Sequence, residues 1–214
     1  MTRQSGFHPL TVLFAMLLGL LSLQAHANDG ALYAPAAPKG SAFVRLLNAG
    51  NEPVSAAIAG VTIKSVPSME SSSFSFLPAG SYTTKLGSQS LPVKLEADHY
   101  YTLVNLSDGA PRLVDEAGFK DRRKSLMRLH NLTDRQLSVK TTDGKTEVIS
   151  SVAPSAQGER EINPVKIQLA LFEDERRLAE AKPMLLKRGE VSSLFVIGKA
   201  GKVIPVWAES KSAN

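Results

Sequence analysis

The stretch "FVRLLNAGNEPVSA", residues 43–56, returns in altered form as "LMRLHNLTDRQLSV", residues 126–139. Each is an apolar run holding one arginine, followed by an asparagine, a polar turn and a second apolar run. Arg45 aligns with Arg128, and Asn48 aligns with Asn131. A unit repeated after about eighty residues is the signature of a duplicated domain. The repeat therefore predicts two similar domains in tandem.

Each repeated stretch is best interpreted as the opening hairpin of a β-domain. A helix from Phe43 would end within two turns, because Gly50 and Pro53 interrupt it. As a strand, the segment places Phe43, Arg45 and Leu47 on one face, since side chains alternate along a strand. The asparagine that follows suits a turn, where its side chain can bond the backbone two residues on.

The rest of the chain alternates short apolar runs with turn signals such as Asp143-Gly144 and Ala200-Gly201. This spacing is typical of β-sandwiches. The predicted fold is all-β, with two tandem small β-sandwich domains and little helix. Only "FEDERRLAEAKPM", residues 172–184, has helical character. The predicted strands are 42–48, 54–63, 73–77, 81–86, 90–96, 99–105, 112–115, 126–131, 136–142, 145–151, 165–172, 183–187, 191–198 and 202–208.

The N-terminus has the pattern of a secretory signal. Arg3 precedes the apolar run "TVLFAMLLGLLSL", and the small-residue triplet Ala25-His26-Ala27 follows it. Cleavage is expected between Ala27 and Asn28, which predicts export to the periplasm. The predicted organisation is a signal peptide at 1–27, an extended arm at 28–41, a first sandwich at 42–118, a charged connector at 119–125 and a second sandwich at 126–214.

Charge is unevenly distributed between the halves. Residues 28–118 carry 6 Lys and Arg against 8 Asp and Glu, whereas residues 119–214 carry 18 against 12. The second half is therefore expected to face an acidic partner. The chain has no cysteine, so thiol catalysis and zinc–thiolate sites are excluded. The export signal argues against nucleic acid as a partner.

The sequence offers no convincing catalytic or metal-binding pattern. A serine hydrolase needs a nucleophile, a base and an orienting acid, but no Gly-x-Ser-x-Gly motif is present. "HNLTD", residues 130–134, matches a short His-x-x-x-Asp motif of acyltransferases. Leu47 occupies the position of His130 in the first repeat, which favours a structural role for both. No catalytic residue, metal ligand or cofactor-binding residue is predicted.

Two basic clusters and one aromatic residue are the candidate contact sites for a partner or a polyanion. Guanidinium groups suit anionic recognition, and aromatic rings can stack on sugars. The alternative for each basic cluster is an ordinary solvated surface. The candidates are Arg122, Arg123, Lys124, Arg176, Arg177 and Trp207.

The stretch "ALYAPAAPKGSAFVRLLNA", residues 31–49, resembles the start of mature proteins of the AlgF family, and "MRLHNLTD", residues 127–134, is also similar. That family belongs to the periplasmic machinery that O-acetylates the exopolysaccharide alginate in biofilm-forming bacteria. The resemblance implies a non-catalytic adaptor that contacts other periplasmic and membrane proteins of this machinery. The alternatives are an alginate-binding module and an acetyl carrier or transferase subunit that uses a serine or histidine.

Overall fold

The computed structural model describes residues 37–107 and 109–209, and these residues belong to one compact unit. The expected signal peptide, its cleavage site at Ala27 and Asn28, and most of the expected arm lie outside the described residues. All regular structure in the described part is β-strand, which confirms the all-β prediction. The described residues contain no helix long and apolar enough to cross a membrane.

The first sandwich consists of two sheets that pack face to face. One sheet has the order β4-β1-β8-β9, with β5 also paired to β1, and the other has the order β3-β2-β6-β7. The strands are β1 (Ser41–Asn48), β2 (Val54–Ile58), β3 (Val61–Val66), β4 (Glu70–Ser71), β5 (Ser75–Pro78), β6 (Gly80–Leu86), β7 (Gln89–Leu95), β8 (Tyr100–Asn105) and β9 (Arg112–Glu116).

The second sandwich repeats this plan. Its sheets have the orders β13-β10-β18-β19 and β12-β11-β15-β16, and β14 pairs with β17. In both sandwiches the opening strand lies parallel to a late strand, β1 to β8 and β10 to β18. The strands are β10 (Ser125–Leu132), β11 (Leu137–Thr141), β12 (Glu147–Val152), β13 (Gln157–Ile162), β14 (Val165–Ile167), β15 (Leu169–Glu173), β16 (Arg176–Glu180), β17 (Met184–Leu186), β18 (Val191–Lys199) and β19 (Lys202–Glu209).

The repeated asparagines have the same structural role. The Asn48 amide donates to the carbonyl oxygens of Glu52 and Val66, at 2.8 and 2.9 Å. The Asn131 amide donates to the carbonyl oxygens of Arg135 and Val152, at 2.7 and 2.9 Å. In each sandwich the buried asparagine therefore ties the turn after the opening strand to the end of the third strand. These equivalent hydrogen bonds explain why the asparagine is present in both repeats.

Several element predictions are wrong. The strand expected at 54–63 is a hairpin whose turn residues Ala59 and Gly60 have φ values of 49° and 81°. The turn was missed because alanine is not a typical residue at this position, where both turn residues need positive φ. Ala200 and Gly201, predicted as a hairpin turn, have the same geometry, with φ values of 49° and 73°.

The segment with helical character is also a hairpin. Strands β15 and β16 pair there, with Asp174 at a φ of 53° in the turn. Pairing of β15 with β11 and burial of Leu169–Phe172 outweigh the local helical preference. Sequence reasoning missed β4, β13 and β16 and joined β14 and β15 into one strand, because these strands have few buried side chains or are short.

Candidate functional site: the seam between the sandwiches

The opening strand of each sandwich is buried on both faces. Ala42, Val44 and Leu46 face the core of the first sandwich, as expected for one face of β1. The opposite face carries Arg45 and Leu47, and both are fully buried. An outer face of a lone sandwich would be solvated. Here the outer faces of the β1 and β10 sheets pack against each other, and we call this interface the seam.

One part of the seam is apolar. Side chains from both sandwiches form a single buried cluster there, which makes the interface resemble a domain core rather than a loose contact. Its buried members are Leu47, Ala49, Val104, Phe195, Ile197, Val206 and Ala208.

The centre of the seam is a buried carboxylate shared by the two sandwiches. Glu116, the last residue of β9, is 2% exposed. Its Oε1 accepts hydrogen bonds from Arg45 Nη2 at 2.7 Å and from the Thr102 hydroxyl. Its Oε2 accepts a hydrogen bond from the Ser193 hydroxyl of the second sandwich. Each carboxylate oxygen of Glu116 is thus held by a different sandwich.

Two further side chains of the second sandwich lie close to the same carboxylate. Arg128 Nη1 lies 3.7 Å and His130 Nε2 lies 3.5 Å from Glu116 Oε2. Arg128 also donates to Glu159 Oε1 at 2.5 Å and to the Ala117 carbonyl at 2.8 Å. The repeated arginines therefore lie on opposite sides of the seam and share one acid. In both sandwiches, the repeated arginine of the opening strand therefore lies next to the buried charge of Glu116.

The electrostatics of the seam keep Glu116 ionised. Burial alone would raise the pKa of its carboxyl, because a charge is costly in a low-dielectric interior. The contact with His130 and the charge of Arg45 outweigh burial, and they hold the pKa of Glu116 well below its usual range. A buried charge this well paired is costly to disrupt, since removing one partner leaves the others uncompensated.

Ser193, Glu116 and His130 contain the groups of a hydrolase triad, but their arrangement differs from one. In a triad the histidine accepts the serine proton. Here Ser193 donates to Glu116 instead, and His130 Nε2 has no hydrogen-bond partner among the described residues. The His130 ring stacks on Phe195 with centroids 4.4 Å apart. Ser193 and His130 are 0% and 3% exposed, so neither presents an accessible nucleophile or base.

The other histidine of the described residues, His99, is half exposed and lies beside an acid. His99 Nδ1 lies 3.2 Å from Asp115 Oδ1 at the edge of the first sandwich. The described residues also hold no group of three or more His, Cys, Asp or Glu side chains placed to bind a metal ion.

The structure does not bring the predicted contact residues together. Arg122, Arg123 and Lys124 lie in the segment between β9 and β10, where Arg122 and Arg123 are exposed and Lys124 donates to Asn163 Oδ1 at 2.7 Å. Arg176 and Arg177 lie on the outer strand β16 and form ion pairs with Glu173 and Glu180. Trp207 packs against the core of the second sandwich and donates to the Lys182 carbonyl at 2.8 Å.

A pocket of about 160 Å³ opens at one end of the seam, and we call it the seam pocket. It lies between the two sandwiches, with the charged pair Glu116 and Arg128 among its lining residues. Its other lining residues are Phe74, Tyr100, Ala117, Gly118, Phe119, Lys120, Gly189, Glu190 and Val191.

A family model described as "Alginate O-acetyl transferase AlgF" matches residues 15–193. The chain belongs to the AlgF family. The alginate biosynthesis protein AlgF of Pseudomonas syringae pv. tomato is 51% identical over 95% of this chain and 92% of that protein.

Two solved structures of AlgF domains are also similar. The C-terminal domain of AlgF from Pseudomonas aeruginosa is 48% identical, with a TM-score of 0.38, and the match covers 41% of this chain and 98% of the domain structure. The N-terminal domain of the same protein is 49% identical, with a TM-score of 0.35, and the match covers 38% of this chain and 99% of the domain structure. The family model and the curated relative confirm the resemblance to the AlgF family.

Proposed function

We propose that this AlgF-family chain is a non-catalytic periplasmic adaptor required for O-acetylation of alginate. It contacts other proteins of the acetylation machinery and holds them in a fixed arrangement. The observation that carries the proposal is the burial of Glu116, His130 and Ser193. This serine, histidine and carboxylate cluster is buried in the seam, where it joins the two sandwiches. A transferase needs its nucleophile and base within reach of the substrate.

A deletion strain and a tagged protein together test the adaptor role. We expect alginate from the deletion strain to lose most of its acetyl groups and to regain them when the wild-type gene is restored. The tagged protein should also retain other proteins of the acetylation machinery when it is purified from an alginate-producing cell. Normal acetylation without the gene, or a tagged protein that retains none of these proteins, would contradict the proposal.

Replacing Ser193 by alanine separates the adaptor from the acetyl-carrier alternative. The change removes one hydrogen bond to Glu116, which we expect to cost about 1 to 3 kcal/mol of stability. If the protein still folds, the acetyl content of the polymer should stay near the wild-type value. A folded Ser193→Ala protein that abolishes acetylation would instead make Ser193 a nucleophile. Ser192→Ala, at the neighbouring buried position on β18, is the matched control.

The alginate-binding alternative rests on the exposed basic side chains between β9 and β10. Direct binding would appear as salt-sensitive association of the purified protein with polymannuronate, because salt screens exposed charges. The adaptor proposal expects this association to be much weaker than the contacts with protein partners.

A further inference from the structure

We propose that the seam pocket is a docking site for an acidic protein segment that inserts one bulky apolar side chain. The inference rests on the proposed adaptor function and names the surface and the chemistry of the partner. Both sandwiches and the segment between them contribute to the pocket. Its shape therefore depends on the seam, and a partner bound there would contact both sandwiches at once.

The size of the pocket fits a single side chain. Its volume is about 160 Å³. An apolar cavity of about 150 Å³ accepts one benzene molecule. One phenylalanine, leucine or similar side chain would therefore fill the pocket. A run of several sugar residues needs a longer open groove.

The aromatic wall also favours an inserted side chain over a sugar. Tyr100 stacks on Phe43 with centroids 4.6 Å apart, and Phe74 meets Tyr100 edge-on at 81°. The Arg45 guanidinium carbon lies 4.6 Å from the centroid of the Phe74 ring. These contacts leave an angular apolar wall instead of the flat exposed ring on which a sugar stacks. Half-buried aromatic side chains of this kind are frequent anchors of protein interfaces.

Two segments that contribute lining residues to the pocket, 118–124 and 187–190, supply the charge preference, and we call them the rim. The backbone N–H of Gly189 donates to the Lys124 carbonyl at 2.7 Å, so the segment between β9 and β10 lies against the loop before β18. Together these two segments carry six basic side chains and two acidic ones. Charge complementarity therefore selects an acidic partner, and it also speeds encounter. Of these eight residues, Lys120 and Glu190 line the pocket, and the other six lie beside them in the same two segments: Asp121, Arg122, Arg123, Lys124, Lys187 and Arg188.

Selection of random short peptides displayed on phage, on the mature full-length protein, tests the pocket directly. We expect enriched peptides to combine several acidic residues with one bulky apolar residue. A fluorescent peptide of the enriched sequence should bind Phe119→Ala at least about tenfold more weakly than wild type. The control Tyr82→Ala removes a half-buried aromatic ring from the far sheet of the first sandwich and should leave binding unchanged.

Charge reversal tests the rim with a matched pair of variants. Arg122→Glu with Arg123→Glu should weaken peptide binding, most strongly at low salt. Arg176→Glu with Arg177→Glu makes the same change in net charge on β16 and should have little effect. Absence of any enriched acidic peptide, or equal binding by wild type and Phe119→Ala, would overturn the proposal. Binding of oligomannuronate that depends on Phe119 but displaces no peptide would also overturn the proposal, because it would make the pocket a sugar site.

A purification from alginate-producing cells distinguishes failure of the pocket from failure of the adaptor. If wild type and Phe119→Ala retain the same proteins of the acetylation machinery, the docking site is wrong and the adaptor role stands. If wild type retains none of them, the adaptor role fails. If only Phe119→Ala loses a protein that wild type retains, and the peptide also binds this variant more weakly, the docking site and the adaptor role are both supported.

Discussion

Replacing Glu116 by glutamine is expected to lower the free energy of unfolding by about 3 to 5 kcal/mol. The change removes the only negative charge that Arg45 and Arg128 share inside the described part of the seam. Both guanidinium groups would remain buried, with less compensation. Because a domain is stable by only about 5 to 15 kcal/mol, this single change should bring the protein close to unfolding at physiological temperature. Urea denaturation at neutral pH measures the loss.

The neighbouring residue provides the control for this variant. Asp115 points to the opposite face of β9, where its side chain is 54% exposed. Asp115→Asn should change the free energy of unfolding by no more than about 0.5 kcal/mol, as is usual for surface positions. Similar losses for the two variants would mean that the shared carboxylate does not stabilise the seam.

The low pKa of Glu116 also predicts how stability depends on pH. A carboxyl whose pKa is depressed by folding stabilises the native state fully above its unfolded pKa of about 4.3. That contribution is lost as the pH falls toward the folded pKa. Wild type should therefore lose stability below about pH 4.3, whereas Glu116→Gln should show a smaller loss over the same range.

Replacing Phe195 by alanine is expected to cost about 3 to 5 kcal/mol and to loosen the two sandwiches. Phe195 is fully buried in the seam and stacks on His130, and the centroid of its ring lies 5.8 Å from the Arg45 guanidinium carbon. The change should weaken the interface between the sandwiches, because Phe195 packs in the seam and not in the core of its own sandwich. In wild type we expect NMR relaxation to give one rotational correlation time for both sandwiches. In Phe195→Ala the two values should separate.

Phe172→Ala is the matched control for this effect. Phe172 is 6% exposed but lies on the β11 sheet, outside the seam. Its removal should also lower stability while both sandwiches keep a common correlation time. Shared tumbling in Phe195→Ala would show that the apolar part of the seam does not hold the sandwiches together.

The fold class could be predicted because its signals are local. Alternating apolar residues and turn residues predicted the strands, and the repeated stretches predicted two sandwiches. Errors arose where pairing with a distant strand decided the structure, as in the β15–β16 hairpin. The short strand β4 has no periodicity of its own to reveal it.

The seam could not be predicted because it joins residues far apart in the chain. Glu116 and Ser193 are separated by 77 positions, and nothing near either residue indicates the other. One local signal was available. Phe43 and Leu47 lie with Arg45 on the face of β1 that a lone sandwich would expose to solvent. Large apolar residues on an outer face indicate that another surface covers it.

Incubation of the purified full-length protein with polymannuronate and a small activated acetyl ester tests the central claim most directly. The measured quantity is the rate at which acetyl groups are transferred to the polymer. If the protein is an adaptor with no chemistry of its own, the rate with protein will equal the rate without it. A protein-dependent rate that Ser193→Ala abolishes and Ser192→Ala preserves would contradict the account and assign the transfer to the seam.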